Sequence, residues 1–409
     1  MLVTHLTNNL RSKIIAASLL LLSFGATAAE FESSGQIGIE ARYFFETGQY
    51  AEQFDHAQTS LFVEPELYWA WNEGDNSLTF KPFYRLDSQD SERTHGDIRE
   101  LSYVHARDDW EVRAGIRKEF WGVTEFQHLV DVINQTDGLE DIDGEDKLGQ
   151  QMLNLSLVKD WGIVDLYLMP GFREQTFSGR DSRLRGPLVV DKHHVSYESA
   201  AKDKHVDLAL RWSHSVGNFD LGSYWFHGTN RDPILTLTQE GDTSVLRQYY
   251  NQMDQLGFDL QATLEGWLWK VESIYRTTKD EDFLATQAGF EYTFTGVFES
   301  IADIGLLVEH GWDSRGESDQ NSSGAQNQND LFLGSRIAFN DIQDSEVLMG
   351  FSSDLDHNAF NLIVEASRRF GDSFKASLDI RLFQSTDPAE QVFLLKNDDH
   401  LQFSLRWYY

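Results

Sequence analysis

The last ten residues, His400-Leu401-Gln402-Phe403-Ser404-Leu405-Arg406-Trp407-Tyr408-Tyr409, alternate between apolar and polar side chains. Successive side chains of a β-strand point to opposite faces, so this alternation gives one apolar face and one polar face. The apolar face carries Leu401, Phe403, Leu405, Trp407 and Tyr409. The stretch predicts a strand between lipid and water, and its aromatic end suits the membrane–water boundary.

The same alternation recurs from Gln36 onward. In the segment 61–71, Leu61 and Trp69 share the predicted outer face, whereas Glu64 points inward. Each such segment is close to the 9–11 residues that cross a bilayer obliquely, and about eighteen of them are found, with sixteen as the alternative count. The predicted strands lie near residues 36–43, 61–71, 78–86, 97–107, 110–121, 150–160, 163–173, 205–215, 218–228, 254–264, 267–277, 283–294, 301–311, 330–339, 346–354, 359–370, 373–384 and 400–409.

The connections between these strands alternate in length. Short links interleave with longer polar loops, which is typical of an antiparallel up-and-down membrane barrel with short periplasmic turns and long extracellular loops. The segment 234–250 has the pattern of another hairpin, but we assign it to a structured extracellular loop. Pro65 and Pro82 interrupt two strands and predict local bulges there. The short links are Asp108-Asp109, Asp160-Trp161-Gly162, Val216-Gly217, Glu265-Gly266 and Gly371-Asp372.

The amino terminus has the pattern of an export signal. Arg11 and Lys13 precede an apolar run that ends at Leu22, and small residues follow at 26–28. We therefore expect residues 1–28 to be removed as a signal peptide and residues 29–409 to form the mature barrel in the outer membrane. The apolar run is shorter than the roughly 20 residues of a transmembrane helix.

Composition limits the partners and the chemistry. The chain has a formal net charge of −32, which repels the phosphate backbone of nucleic acids. It has no cysteine, so it offers no thiolate ligand or nucleophile, and no cofactor is predicted. Outer-membrane lipid and lipopolysaccharide are the expected surroundings, and small polar solutes are the expected cargo.

The closing strand 400–409, with its aromatic last residue, resembles that of bacterial outer-membrane porins. The resemblance covers most of the mature chain through its strand pattern, and no specific porin family is identified. It implies a passive channel, and it implies that the barrel-assembly machinery recognises strand 400–409. It also implies a loop after the fifth strand that folds into the lumen and narrows the pore.

The segment 122–149 has the position of that loop. Thr124 followed by Gln127 has the spacing of a capping box, and apolar residues follow at helical spacing, so a short amphipathic helix is predicted. The alternative is that this helix lies over the mouth of the barrel. The predicted constriction residues are Thr124, Phe126, Gln127, Leu129, Val130 and Ile133.

Charges of both signs occupy the predicted inward faces. A barrel of this width is too large for side chains to fill, so charged inward positions predict a water-filled lumen. The alternative for most of them is pairing between neighbouring strands. Arg113 and Arg117 lead into the constriction segment and are the first candidates. The predicted pore-lining residues are Arg42, Glu64, Glu66, Arg85, Glu111, Arg113, Arg117, Asp379, Arg381 and Arg406.

Other functions remain open at this stage. Inward rings at Tyr68, Tyr167 and Tyr224 would suit a sugar-specific pore, in which aromatic faces stack on the solute. The basic loop 173–205 is a candidate for binding anions, or else a surface loop paired with acidic neighbours. The acidic run 137–146 offers carboxylates for calcium, although its spacing misses the helical calcium-loop pattern. A structural barrel or a barrel enzyme are further alternatives, but no serine elbow and no metal-spaced histidine pair is found.

Overall fold

A computed structural model describes residues 29–241, 243–316, 328–357, 359–387 and 390–409. The predicted signal peptide, residues 1–28, lies outside the described residues. Within them the chain is almost entirely β-structure and contains no α-helix. None of the described helical turns is long and apolar enough to cross a membrane.

Eighteen strands form one sheet, and three more form a small separate sheet. The barrel strands are β1 (Glu30–Phe44), β2 (Ala57–Trp71), β3 (Asn76–Asp87), β4 (His95–Ala106), β5 (Trp110–Arg117), β6 (Gln150–Lys159), β7 (Gly162–Pro170), β9 (Val206–Val216), β10 (Phe219–Thr229), β13 (Gln252–Leu264), β14 (Trp267–Thr278), β15 (Asp282–Phe294), β16 (Asp303–Asp313), β17 (Asn329–Ala338), β18 (Glu346–Asp354), β19 (Ala359–Phe370), β20 (Phe374–Ser385) and β21 (His400–Tyr408). The small sheet consists of β8 (Val190–Tyr197), β11 (Ile234–Glu240) and β12 (Thr243–Tyr250).

The large sheet closes on itself. Each barrel strand pairs antiparallel with its neighbours, and β1 pairs with β21 as well as with β2. At the seam, the backbone N–H groups of Gly35 and Tyr409 each donate to the other residue's carbonyl at 3.2 Å. Closure leaves no strand edge unpaired, which is the condition for a sheet to lie in lipid. The prediction of an antiparallel up-and-down barrel of about eighteen strands is confirmed.

The outer surface of the barrel is apolar. Leu210 on β9 lies in register with Leu166 on β7 and Trp225 on β10, and all three side chains are exposed on the outside. On the same strand the next residue, Arg211, points inward and bonds to Asp259 at 2.6 Å. The period-two pattern therefore separates an outer face suited to lipid from a polar inner face.

Two local irregularities fall where proline predicts them. The pairing of β3 with β4 shifts register between Lys81 and Pro82. The pairing of β2 with β3 is interrupted between Val63 and Leu67, and Pro65 lies in that gap. Proline has no N–H to donate to the ladder, which explains both positions.

The two rims of the barrel differ in their connections. One rim, the short-turn rim, carries tight links such as Glu265-Gly266, where both residues have positive φ (50° and 86°), as a type I′ turn requires. The opposite rim, the long-loop rim, carries the long connections, among them 45–56, 118–149, 171–205 and 386–399. Strands β11 and β12 do form a hairpin, but it pairs with β8 outside the barrel wall, as assigned from the sequence.

A charged substitution on the outer face tests which face of the barrel wall contacts lipid. Leu210→Arg should lower the free energy of unfolding in lipid vesicles by about 2–4 kcal/mol, because a cation on the lipid face loses its hydration. Urea titration followed by tryptophan fluorescence measures this. Leu237→Arg is the matched control, since Leu237 lies on β11 outside the wall with 69% of its surface exposed. Equal effects of the two substitutions would contradict the assignment of the faces.

Candidate functional site

The connection between β5 and β6, residues 118–149, runs into the lumen, and we call it the infolded segment. Its Phe126 stacks on Phe332 of β17, with ring centroids 5.0 Å apart and planes 9° from parallel. In the order of paired strands, β17 is the ninth strand from β5 in either direction, so it lies on the opposite side of the ring. The infolded segment therefore crosses the whole barrel.

Two wall carboxylates bind the backbone of the infolded segment. Glu272 of β14 accepts hydrogen bonds from the N–H groups of Val123 (2.6 Å), Thr124 (3.0 Å) and Val130 (3.1 Å). Glu272 is fully buried. Hydrogen bonds to a charged group contribute about 1.5–3 kcal/mol each, so Glu272 is a strong anchor for the segment.

Glu309 of β16 provides the second anchor. It accepts from the N–H groups of Glu125 at 2.8 Å and Phe126 at 2.9 Å, and Gln287 donates to it at 3.1 Å. Glu309 is also fully buried. Together Glu272 and Glu309 bind five backbone N–H groups between residues 123 and 130.

The predicted helix at the start of this segment is wrong. In a helix the N–H of Val130 would bond to the carbonyl of Phe126, but it is bound by Glu272 instead, so the backbone follows the wall. Thr124 does not cap a helix: its hydroxyl donates to the carbonyl of Gln127 at 2.6 Å and to Glu272 at 2.8 Å. The apolar spacing in this stretch reflects packing against the barrel interior.

An apolar cluster fills one side of the lumen. Val130 and Ile133 are fully buried there, Val132 nearly so, and Leu129 packs against the cluster. Burial of such side chains contributes about 1.5–3 kcal/mol each, so this side is a dry core. The wall contributes Met152, Tyr167, Met169, Ala209, Tyr224, Phe226, Met253, Ile274, Phe283 and Ala285, and Trp121 of the infolded segment completes the cluster.

The tyrosines considered for sugar stacking are not placed for that role. Tyr167 and Tyr224 are buried against Trp121, with ring centroids at 5.6 Å and 4.8 Å. Tyr68 is half-buried and pairs in register with Thr79 toward the short-turn rim, away from these two rings. The three rings do not form a continuous surface, and the burial of Tyr167 and Tyr224 favours packing over sugar stacking.

The acidic half of the infolded segment meets arginines of the wall. Glu140 bonds to Arg85 of β3 at 2.6 Å, and Asp137 bonds to Arg99 of β4 at 2.8 Å. Burial raises the pKa of Asp137, but Arg99, the hydrogen bond from Thr176 and the charge of His95 together outweigh it, so the pKa lies below its usual value. Asp137 and Glu140, two of the carboxylates considered for calcium, are therefore already paired with cations.

Two further arginines bind this half from other strands. Arg381 of β20 contacts Asp141 at 3.1 Å and Asp143 at 2.8 Å. Arg42 of β1 donates to the carbonyl of Glu140 at 3.2 Å and also bonds to Gln402. Contacts on β1, β3, β4 and β20 thus hold the acidic half of the infolded segment against the wall.

A polar cavity of about 160 Å³ lies between this acidic half and the wall. It brings together four residues predicted to line the pore, and Glu40 there bonds to Arg85 at 2.6 Å. Charges of both signs face each other across the cavity, so it offers a water-filled space with a strong local field. Its lining includes Glu40, Arg42, Glu64, Arg85, Asp146 and Arg406.

The remaining pore-lining candidates lie elsewhere on the inner wall. Glu111 pairs with Arg113 on the same strand. Arg117 pairs with Glu119 at 3.0 Å, and Glu66 pairs with Lys81 at 2.7 Å. Asp379 faces inward on β20 in register with Gln402. Of these pairs, only that of Glu66 with Lys81 joins neighbouring strands, β2 and β3, as the alternative of cross-strand pairing expects.

Water reaches the inner wall on the side opposite the apolar cluster. Arg336 on β17 and Glu365 on β19 both point inward, yet 45% and 42% of their side-chain surfaces are exposed. Glu125 of the infolded segment contacts Arg336 at 3.2 Å and is itself 36% exposed. The inner wall is therefore accessible to solvent along β17 to β19.

The basic loop 173–205 is paired with acidic loops. Arg183 bonds to Asp398 at 2.8 Å, and both side chains are fully buried. Arg180 contacts Glu52 at 3.1 Å. The arrangement matches the alternative of a surface loop paired with acidic neighbours, and the buried Arg183 is not open to an anion.

Sequence reasoning missed the two anchors. Glu272 falls on an inward face in the strand pattern, but nothing local distinguishes it from other inward carboxylates. A usable sequence signal is that Ile274, its inward neighbour two residues away, is apolar. In the structure Ile274 is buried. An apolar residue on the polar face of a barrel indicates that some other part of the chain covers it.

No family model matches the chain, and no curated protein matches it in sequence. Among solved structures it is similar to OmpT, an outer membrane protein of Vibrio cholerae in its trimer form, with 9% identity and a TM-score of 0.45. That similarity covers 93% of this chain and 100% of that one. A triple mutant of the Rh. blastica porin shares 10% identity and a TM-score of 0.44, with 93% and 100% covered. The architecture itself, a closed antiparallel barrel of eighteen strands, is established by the strand pairing.

A buried carboxyl makes the infolded segment sensitive to pH. Asp131 has 1% of its side chain exposed, and Lys147 lies 3.7 Å from it. Burial raises the pKa of Asp131 to about 6, an effect that the charge of Lys147 only partly offsets. His128 and Glu145 are the other titratable groups that act on it.

Asp131→Asn should therefore stabilise the protein at neutral pH and not in acid. A pKa raised from 3.8 to about 6 means that the folded state loses up to about 3 kcal/mol as the pH rises through that range. The asparagine does not ionise, and its oxygen still accepts from the N–H of Trp121. The free energy of unfolding, measured at about pH 4 and pH 7.5, should differ between the two proteins only at the higher pH. A difference independent of pH would contradict the assignment, and Asp372→Asn on an exposed turn is the control.

Proposed function

We propose that the protein is an outer-membrane porin, a channel through which small hydrophilic solutes diffuse. The observation that carries this proposal is the combination of an infolded segment across the lumen with exposed inward charges at Arg336 and Glu365 on the far wall. A barrel filled by its own side chains would leave such residues dry. Water beside them supports a continuous polar path.

The mechanism is selection by size and charge. The apolar cluster closes one side of the lumen, so solutes are confined to the side where Arg336 and Glu365 are wet. Glu125, held between Lys270 at 2.9 Å and Arg336 at 3.2 Å, forms the edge of the infolded segment there. Opposed charges across a narrow aqueous gap favour hydrated ions and small polar solutes over apolar ones.

No catalytic role is part of the proposal. The charged groups of the polar cavity hold one another: Arg85 bonds to both Glu40 and Glu140, each at 2.6 Å. Groups bound in this way serve to fix the infolded segment. The sugar-specific alternative loses its support with the burial of Tyr167 and Tyr224.

The cellular surroundings follow from the same proposal. Residues 1–28 would direct export and be cleaved, and the outer apolar face would contact outer-membrane lipid and lipopolysaccharide. Strand β21, which closes the barrel against β1 and ends in Tyr408 and Tyr409, would be the element that the barrel-assembly machinery recognises.

Release of the infolded segment should enlarge the pore. The double variant Glu272→Gln and Glu309→Gln removes both charges and leaves each anchor with one oxygen acceptor instead of two. The N–H groups of residues 123–130 would then be held less firmly. We expect larger single-channel steps in planar bilayers and more frequent transitions between levels than for the unmodified protein.

Glu299→Gln is the control for this experiment, because Glu299 lies in an exposed turn on the short-turn rim. Unchanged steps in the double variant would contradict the role of the two anchors. Absence of any conductance from the unmodified, folded barrel would defeat the channel proposal and favour a structural barrel.

Ion selectivity should depend on the wet side of the lumen. Glu365→Lys reverses one exposed inward charge beside Arg381, which lies 3.9 Å away. We expect the reversal potential in a potassium chloride gradient to move toward that of chloride. Glu111→Lys, near the end of β5 at the short-turn rim, should shift the reversal potential less, because Glu111 is 25% exposed whereas Glu365 is 42% exposed. A larger shift for Glu111→Lys would place the passage on the other wall.

A further inference from the structure

A cluster of acidic residues and one histidine lies on the long-loop rim, away from the infolded segment. Asp354 ends β18, His357 follows in the next connection, and Glu390 lies in the connection between β20 and β21. His357 Nδ1 is 3.2 Å from an oxygen of Asp354 and 3.1 Å from an oxygen of Glu390. One ligand atom of each residue lies within 4.8 Å of the others, which is the spacing of ligands around a single metal ion.

A third carboxyl faces this cluster, and one of its two oxygens has no hydrogen-bond partner in the described part of the chain. Asp330 of β17 pairs in register with Asp354, so both side chains leave the sheet on its inner face. Asp330 is 8% exposed, and its Oδ2 is buried with no hydrogen-bond partner in the described part of the chain. Two carboxylates directly opposite each other repel, and a buried acceptor without a donor costs about 1–3 kcal/mol.

The backbone fixes Asp354 in a suitable orientation. Its Oδ1 accepts from the N–H groups of Asp356 at 2.7 Å and His357 at 2.8 Å. The other oxygen, Oδ2, faces the imidazole of His357. Asp354 is thus oriented by its own loop, and one oxygen remains directed into the cluster.

The local charge requires a cation. Across the described ranges, no lysine or arginine forms an ion pair with Asp330, Asp354 or Glu390. The cluster formed by His95, Asp137 and Glu140 differs, because Arg85 and Arg99 already neutralise it.

We propose that Asp330, Asp354, His357 and Glu390 bind one divalent transition-metal cation, with Zn²⁺ as the probe. Carboxylates alone would suit calcium, but an imidazole ligand favours zinc and its neighbours in the first transition row. The ion neutralises the facing carboxylates and joins β17, β18 and two rim connections. This site is independent of whether the barrel conducts.

Thermal unfolding and calorimetric titration of the full-length barrel in detergent test the site. Zn²⁺ should bind the unmodified protein with one ion per chain and raise Tm, whereas Ca²⁺ should bind at least about 10-fold more weakly. Binding should weaken near pH 5, because the ligands must lose their protons.

Asp330→Asn distinguishes a metal-binding site from a cluster with only a structural role. It should stabilise the protein without metal but weaken its stabilisation by Zn²⁺. Without metal it should raise Tm, because it removes the repulsion with Asp354 and supplies a donor. With Zn²⁺ it should lower affinity by about 10-fold or more and reduce the Tm shift. His357→Gln should also remove the preference for Zn²⁺ over Ca²⁺.

Asp372→Asn on the short-turn rim makes the same charge change and should leave Zn²⁺ binding unchanged. Heat-modifiable electrophoretic mobility verifies that each variant is folded. Unaltered Zn²⁺ affinity in Asp330→Asn and His357→Gln would overturn the proposal, as would equal affinities of the unmodified protein for Ca²⁺ and Zn²⁺.

Discussion

Closure of the backbone ladder is the constraint on which the rest of the structure depends. Once β1 pairs with β21, every barrel strand has two neighbours, and the phase of each strand is fixed by the strands beside it. A slip of one residue anywhere would turn a row of Leu and Trp inward and a row of charges into lipid. The apolar exterior, the polar lumen and the position of every inward side chain follow from that registration.

The strands were predictable because their signal is local. Alternation over about ten residues reports the two faces directly, and all eighteen predicted segments correspond to wall strands. The conformation of residues 123–133 was not predictable in this way. Glu272 lies 142 residues beyond Val130, to which it bonds, so the interaction that replaces a helix is invisible in any local window. The same applies to Tyr167 and Tyr224, which the strand pattern places inward but which only tertiary packing covers.

The infolded segment divides the lumen into two environments. Its apolar residues Val130 and Ile133 meet a wall of Met, Phe and Tyr side chains and exclude water. Its carboxylates Asp137 and Glu140 meet arginines. An inward position is therefore not equivalent to a pore-lining position, because Glu309 is inward and dry whereas Glu365 is inward and wet. The strand pattern reveals on which face of the wall a residue lies. The course of the infolded segment decides whether that side chain is exposed to water.

This arrangement explains part of the excess of acidic residues in the chain. The acidic run 137–146 supplies the counter-charges that let Arg85, Arg99 and Arg381 remain buried in the wall. Removing one partner from such a pair leaves an uncompensated buried charge and costs about 3–5 kcal/mol. Anchored by arginines at one end and by Glu272 and Glu309 at the other, the infolded segment cannot relax at one end without straining contacts at the other. A rigid course across the lumen follows from electrostatics on both sides of the ring, without a helix or strand in the segment itself.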